Sequence, residues 1–513
     1  MNAALLPLIA AVPLLLAGVT ALVPGRLLHR LILLGTPLTT GLIGIWLLLQ
    51  HLGGTPVLAA QVGGFVPGIS IPFVSDTLAA GMLAVTGLTT VIVLWFSIRS
   101  TEDTLAFFTP LVLVLVGGVN GAILTGDIFN LFVFVEVMLL PSYALLAMTG
   151  TWRRLGVGRL FLTVNLVTSS VFLIGIALLY AAAGAVNIAA LHGAATDDPR
   201  VALGAGTVLL ALTIKAGAVP VHGWLPRAYP GTSAMVMALF AGLHSKVALY
   251  AIYRIYSVVF EGTQRWIPIL LTVVLLSILV GSWATFSGNT IRRAIAFQMV
   301  AGVGYILLGV ALSTAAALAA GLVYLVHHIL TVGALLLASG AVEKTYGTAH
   351  LIRLSNLLRR EKALAWIFGL GLLSLVGFPP SSGFWGKVAL VLAAAESEPL
   401  VAWLTIGTII IASIISLMAL QRLWHEVFWG PKMELYRPAD PLLHDGDAKR
   451  PVPLQDWVRI PFADLMPAAT MLGLALLVFV LPGPFFDVAA SAVVGLLDPS
   501  AYVQAVLPQG ALP

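Results

Sequence analysis

Apolar runs longer than about 18 residues recur along almost the whole of this chain, and a run of that length is what a helix needs to cross the hydrocarbon core of a bilayer. They fall near 3–22, 31–49, 78–98, 107–123, 128–148, 160–183, 201–222, 232–258, 266–286, 292–312, 316–340, 363–394, 401–424 and 462–482. The pattern predicts an all-α polytopic membrane protein of about fourteen transmembrane helices. Composition agrees: 60% of the 513 residues are hydrophobic and 9% charged, with a mean hydropathy of +1.04. Those values lie outside the soluble globular range. The first run lacks a basic n-region and an A-x-A cleavage site, so it reads as a span and not a signal peptide. With no cysteine, disulfides, thiolate metal ligands and Cys-held iron–sulfur clusters are excluded from this chain. No P-loop and no G-x-G-x-x-G after a strand occur, nor a His-x-x-x-His on a helix face with carboxylates beside it. No cofactor and no metal are expected.

Four ionisable residues interrupt these apolar runs. Lys215 sits in VLLALTIKAGAVPVHGWLP, Lys246 in MALFAGLHSKVALYAIYRIY, Lys387 in SLVGFPPSSGFWGKVALVLAAA, and Glu136 in DIFNLFVFVEVMLLPSYALLAM. A charge near the bilayer centre costs about 2.5–3.5 kcal/mol on insertion scales, so four of them on separate helices point to an ion or proton path. Glu136 lies nine residues into the span that begins at Asp127. At about 1.5 Å per residue that is roughly 13 Å, near the middle of a core about 30 Å thick. An ionised carboxylate at that depth needs a cation, and Lys215 or Lys246 is the partner expected. A purely structural ion pair is the competing reading, but such pairs are often neutral for stability.

Histidines His244, His327 and His328 lie inside spans, and His222 just past a break. Histidine exchanges protons near neutral pH, which suits a relay. Adjacent residues on a helix face different ways, so His244 and His328 are assigned to the path ahead of His327. Thr168, Ser169, Ser170, Gln298, Tyr305 and Tyr324 either hold waters between the charged sites or make helix-packing contacts.

Placing the amino terminus outside puts only Arg200, Arg254 and Arg265 on the outer side. The three intramembrane lysines apart, every other Lys and Arg, from Arg26 to Arg459, then falls on the cytoplasmic side. The even span number returns the carboxyl terminus to the outer side as well. The net charge of +5 therefore marks a cytoplasmic membrane face and not a nucleic-acid partner. Arg99 reads as a solvated loop residue, the stretch EKTYGTAHLIRLSNLLRREKAL as one amphipathic cytoplasmic helix, and 51–72 as an outer loop or short strand pair. Segment 431–460 is a polar loop and a surface for partners. The tail after 482 is broken by Pro and Gly and is not expected to form a fifteenth span.

Pro220, five residues after Lys215, and Pro379-Pro380, seven before Lys387, should break spans seven and twelve within the membrane. Broken helices about five spans apart predict two inverted five-helix repeats, spans four to eight and nine to thirteen, as in many transporters. The expected organisation is residues 1–106 for spans one to three, 107–258 and 266–424 for the repeats, and 425–513 for a cytoplasmic loop, span fourteen and a tail.

Three stretches carry a family resemblance. VNGAILTGDIFNLFVFVEVMLLPSYALLAM resembles the fifth-helix signature of antiporter-like subunits. KAGAVPVHGWLPRAYPGTSAMVMALFAGLHSKVALYAIYR resembles their seventh and eighth helices, and GFPPSSGFWGK their broken twelfth. That superfamily includes the large membrane subunits of respiratory NADH:quinone oxidoreductase, of membrane-bound hydrogenases and of Mrp-type multisubunit Na+/H+ antiporters. GDIFNLFVFVEVM, the length and the layout are most similar to the D-type subunits of the Mrp antiporters, and the resemblance covers roughly 70–430. It implies the family's fifth-helix glutamate at Glu136, its seventh- and eighth-helix lysines at Lys215 and Lys246, and its twelfth-helix lysine at Lys387. The chain departs from the pattern at Val332, where many relatives carry a lysine, and at Phe297-Gln298, where many carry serines.

The expected activity is proton and cation translocation within a multisubunit Na+ or K+/H+ antiporter. Protons would move along a midplane row of Glu136, Lys215, Lys246, His244, His328 and Lys387, with Lys387 nearest the outer exit. The chain would sit in the cell membrane, with other antiporter subunits and the lipid bilayer as partners. A redox-driven proton-pumping subunit would use the same row, and a non-conducting scaffold would carry the charges without using them.

Overall fold

The computed structural model describes residues 2–148, 152–438 and 450–508. Its helices are α1 (Leu8–Leu22), α2 (Arg26–Leu52), α3 (Thr77–Arg99), α4 (Phe108–Leu124), α5 (Ile128–Ala147), α6 (Trp152–Ala183) and α7 (Pro199–Ala216). There follow α8 (Ala234–Val259), α9 (Ile267–Ala284), α10 (Ile291–Leu312) and α11 (Ala315–Tyr346). The set ends with α12 in two pieces (Lys362–Val376 and Ser382–Ala395), α13 (Pro399–Phe428), α14 (Phe462–Val480) and α15 (Pro482–Leu497). Many begin where a short polar side chain accepts from a first-turn amide: Asp76 from Ala79 at 2.9 Å for α3, Asp127 from Asn130 at 2.7 Å for α5, and Ser233 from Val236 at 3.2 Å for α8.

Among the described residues, twelve helices are each long and apolar enough to cross a membrane, so the chain is an all-α polytopic membrane protein. Every expected span coincides with a helix. The difference from the expected count comes from α4, which has 17 residues, and from the two pieces of α12, with 15 and 14. Burial sorts the bundle. α8, α10 and α11 are 94%, 100% and 94% buried over their most apolar stretch, whereas α1, α6, α9 and α13 are each 33% buried. A helix that is apolar all round is stable only inside protein or lipid. Here the central three are enclosed by protein and the outer ones leave apolar faces on the outside of the bundle. α11 is the hub, packing against α3, α8, α10, both pieces of α12, α14 and α15. Small residues allow close contact where helices cross: a side chain at Gly87 would meet the Gly41 backbone at 2.5 Å, joining α2 to α3.

Two local expectations change and a third is met. The stretch from Glu343 to Leu364 is not one amphipathic helix. Gly347, at φ 73°, ends α11, and Asn356, at φ 55°, precedes a single helical turn before α12. The tail after 482 is helical: α15 packs on α3 and α11, and its Ser491, Ala492 and Gly495 line a cavity with His51 and Asp76. Pro482 starts this helix, at a position where its missing amide is no loss. The strand pair expected in 51–72 is present as β1 (Leu58–Val62) and β2 (Ile71–Ser75), antiparallel, with Ala60 opposite Phe73. In the polar segment 431–460, residues 439–449, Lys449 among them, lie outside the described residues.

Charged pairs fasten the two ends of the bundle. At one end Arg254 donates to Asp76 at 2.5 Å, and its guanidinium lies 4.8 Å from the Tyr502 ring centroid. At the other, Asp464, fully buried, takes Arg99 at 2.9 Å and Lys344 at 2.6 Å, joining α3, α11 and α14. Beside that second end Arg292 holds Glu343 through two bonds of 2.6 and 2.9 Å. Arg99 is therefore a clamp and not a free loop residue, and Arg254 is 3% exposed inside a helix. Both had a carboxylate waiting far away in sequence.

Candidate proton path

The two broken helices position the site. α7 ends at Ala216 because Gly217 turns left-handed at φ 85°, and the first piece of α12 ends at Val376 because Gly377 does so at φ 91°. The Val219–Pro220 and Pro379–Pro380 bonds in the breaks are cis. Each break leaves helix C-terminal carbonyls inside the membrane, where cations are favoured. Lys215 occupies the last turn of α7. The Lys387 ammonium donates to the Val376 carbonyl at 2.8 Å and to Ser413 Oγ at 3.0 Å, and stands 4.5 Å from the Tyr305 ring centroid. A helical side chain leans toward its own N-terminus, so the ammonium of Lys387 returns to the level of the break instead of extending beyond it.

Glu136 on α5 faces Lys215, with Nζ 3.7 Å from Oε1. Ser169 of α6 bridges them, donating to the Glu136 carboxylate and accepting from Lys215 at 3.1 Å. Glu136 is half-buried, with 30% of its side chain exposed, and is not enclosed as expected; Lys215 is 5% exposed. On α8, His244 and Lys246 point to opposite sides. His244 Nε2 meets Ser142 Oγ of α5 at 2.9 Å, and its ring packs on Phe240, within electrostatic reach of Lys215. Lys246 is wholly buried, and its ammonium has Ser245 Oγ at 3.1 Å and no carboxylate at ion-pair distance among the described residues. A buried ammonium without a counter-charge is costly to hold away from water.

Beyond Lys246 the row enters α11. His328 is the charge neighbour of Lys246, and His327 that of Lys387. His327 Nδ1 meets Ser382 Oγ at 2.8 Å and Thr331 Oγ1 at 3.2 Å, and Thr331 reaches Ser374 at 3.1 Å. His328 has no well-formed hydrogen bond at either ring nitrogen, although the Gln298 backbone lies beside it. Its ring fills the space where a side chain on Gly302 would stand, at 2.0 Å. Tyr324 lies against both rings and against Tyr305. The structure thus pairs Glu136 with Lys215 and buries Lys215, His244, Lys246, His328 and Lys387, together with His327, which the sequence ranks second. Ser142, Ser382, Thr331 and Ser413 do not stand out in the sequence, since one hydroxyl in an apolar span looks like a packing contact until its partner is known. Of the polar residues considered, Ser170 and Thr168 bond only their own helix, and Gln298 bonds Thr285 and Ser416.

From Lys246, α8 carries Tyr250 and Arg254 at successive steps of four, on one face and directed to the Asp76 end. Tyr250 donates to the Ile123 carbonyl at 2.6 Å. Outside the spans at the opposite end, burial pushes the Glu102 carboxyl up, against bonds from Ser233 at 2.6 Å and Ser100 at 3.1 Å and the charge of Arg154.

Residues 125–416, which hold the whole row, match the family described as NADH:quinone oxidoreductase/Mrp antiporter, transmembrane. The chain belongs to this family. Within the NADH:quinone oxidoreductase/Mrp antiporter family it is similar to D-type subunits of Na+/H+ antiporters along nearly its entire length. It is 30% identical to the D-type Na+/H+ antiporter chain of Bacillus subtilis over 517 residues, 99% of each chain. It is 30% identical to the corresponding D-type chain of Alkalihalophilus pseudofirmus over 473 residues, 91% of each. Among solved structures, a chain of the Mrp complex from Dietzia sp. DQ12-45-1b superposes with a TM-score of 0.92 at 39% identity, covering 98% of this chain and 99% of that one.

Proposed function

We propose that this chain is the D-type subunit of a multisubunit Na+/H+ antiporter and moves protons along the row Glu136–Lys215, His244, Lys246, His328 and His327, Lys387. The observation that carries the reading is Lys246: a wholly buried ammonium with no carboxylate at ion-pair distance among the described residues, and with His328 of α11 as its charge neighbour. Protonation of one member repels a proton on the next, and release of the Glu136 attraction frees Lys215 to pass its charge inward. Charge displacement does the work; no covalent step is involved. Ser169, Ser142, Ser382 and Thr331 orient the titrating groups. Partners are the other subunits of the antiporter, and the exchanged cation is Na+ or K+.

Two further features belong to this reading. The amino and carboxyl termini face outward, so that the Asp464 end, rich in arginine and lysine, is cytoplasmic. Helices α4–α8 and α9–α13 form two inverted five-helix repeats, so that fourteen spans result. α4 starts near Glu102 at the Asp464 end and α9 beside Trp266 at the Asp76 end, which supports the inversion. A redox-driven relative would use the same row; end-to-end similarity to D-type antiporter chains favours exchange. The test is cation-dependent pH recovery in membrane vesicles holding the assembled complex. Wild-type recovery in Lys246→Ala complex of normal assembly would overturn the path.

A further inference from the structure

Near the Asp76 end an apolar groove of about 660 Å³ opens between the two halves of the bundle. Leu203 and Leu210 of α7, Ile269 and Val273 of α9, and Leu307 of α10 form its walls. Leu203, Leu210 and Ile269 are 63%, 50% and 61% exposed. Protein interiors are close-packed, and a gap of this size between apolar walls is stable only when something apolar fills it. Along α7 it extends from Pro199 to Thr213, about 21 Å at the helical rise. That covers one half of a hydrocarbon core about 30 Å thick, together with its interface.

The mouth of the groove carries a cation. Arg265 is exposed at its rim, its guanidinium 5.2 Å from the ring centroid of Trp266, a residue type that settles at the headgroup level. The other arginines at this end are occupied: Arg200 holds Asp198 at 2.8 Å and Arg254 holds Asp76. Arg265 has no carboxylate at ion-pair distance among the described residues.

We propose that the groove is a binding site for one membrane phospholipid, with an acyl chain between α7, α9 and α10 and its phosphate on Arg265. The site lies on the outer flank of α7, whose far end carries Lys215 and the break. A bound chain holds α7 against the second half of the bundle and steadies the lysine that pairs with Glu136.

The test uses the purified, assembled complex with phosphatidylglycerol carrying a photoreactive group near the end of one acyl chain. Labelling is expected in α7, α9 and α10 peptides that line the groove. A Cβ at Gly206, which lines the groove, would meet nothing within 4 Å, so Gly206→Phe is the variant chosen to fill it. It should abolish that labelling. Arg265→Gln should reduce lipid retention on the order of tenfold, the size of a lost charge-assisted hydrogen bond. If Gly206→Phe fails to assemble, the exposed Arg265→Gln decides alone. Labelling spread evenly over all lipid-facing helices and indifferent to the variants overturns the site. So does a cross-link from Leu210→Cys, in a chain that otherwise has no cysteine, to another subunit, which would make the groove a subunit interface.

Discussion

Lys387 and Val376 face each other across the break in α12, the lysine ammonium donating to the carbonyl at 2.8 Å. The contact fixes a titratable cation on a helix C-terminus at the point where the backbone leaves its regular bonding. Lys387→Leu should assemble and lose transport. Lys387→Glu places an acceptor against an acceptor, so it should also fall more than about tenfold, given the 1.5–3 kcal/mol of a charge-assisted bond. Vesicle antiport normalised to assembled complex reads both; near-normal activity of the leucine variant would remove Lys387 from the row.

The bridge at Ser169 separates two effects. Glu136→Ala removes the counter-charge of Lys215 and should abolish antiport. Ser169→Ala leaves the ion pair at 3.7 Å but unbridged and should lower activity several-fold, about the 0.5–1.5 kcal/mol of one neutral hydrogen bond. Equal losses in the two variants would show that Ser169 acts otherwise than by orientation.

Charges at the ends should behave differently from those in the row. Arg359 is exposed and its substitution by alanine should change neither assembly nor transport. Arg99→Ala leaves the buried Asp464 with Lys344 alone and should lower stability by about 1–3 kcal/mol. Its signature is a smaller yield of assembled complex with normal transport per complex. Lys246→Ala should give the reverse.

Gly302→Ala drives a methyl group into the His328 ring, 2.0 Å from where it would stand. Transport should drop sharply while the His327 network with Ser382 stays in place. Ser382→Ala tests that network separately. If only one of the two variants stops transport, only its histidine belongs to the path.

Glu102 gives a pH dependence of stability. Burial raises its carboxyl above the ordinary 4.5, so the fold favours the protonated form. Its contribution is complete below the unfolded value and is lost as pH rises through the folded one. Glu102→Gln should therefore flatten the fall in melting temperature of the complex between acid and neutral pH. An unchanged pH profile would assign the dependence to another group.

The sequence alone located the membrane helices, both breaks and the buried lysines. A lysine in an apolar run stands out without knowledge of its neighbours, and a proline or glycine acts on the backbone where it stands. Those are local effects. It did not disclose that Ser169 joins Glu136 to Lys215, that His327 is held by Ser382, or that Arg99 finds Asp464 across 365 positions. Helical periodicity assigns a residue to a face but not that face to a partner. Packing of α3, α11 and α14 turned an apparent loop arginine into a clamp, and the packing of α15 onto α3 and α11 ordered a tail that its prolines had seemed to break up. The lipid-sized groove beside α7 has no signature in the sequence, because a gap is a property of surfaces that fail to meet.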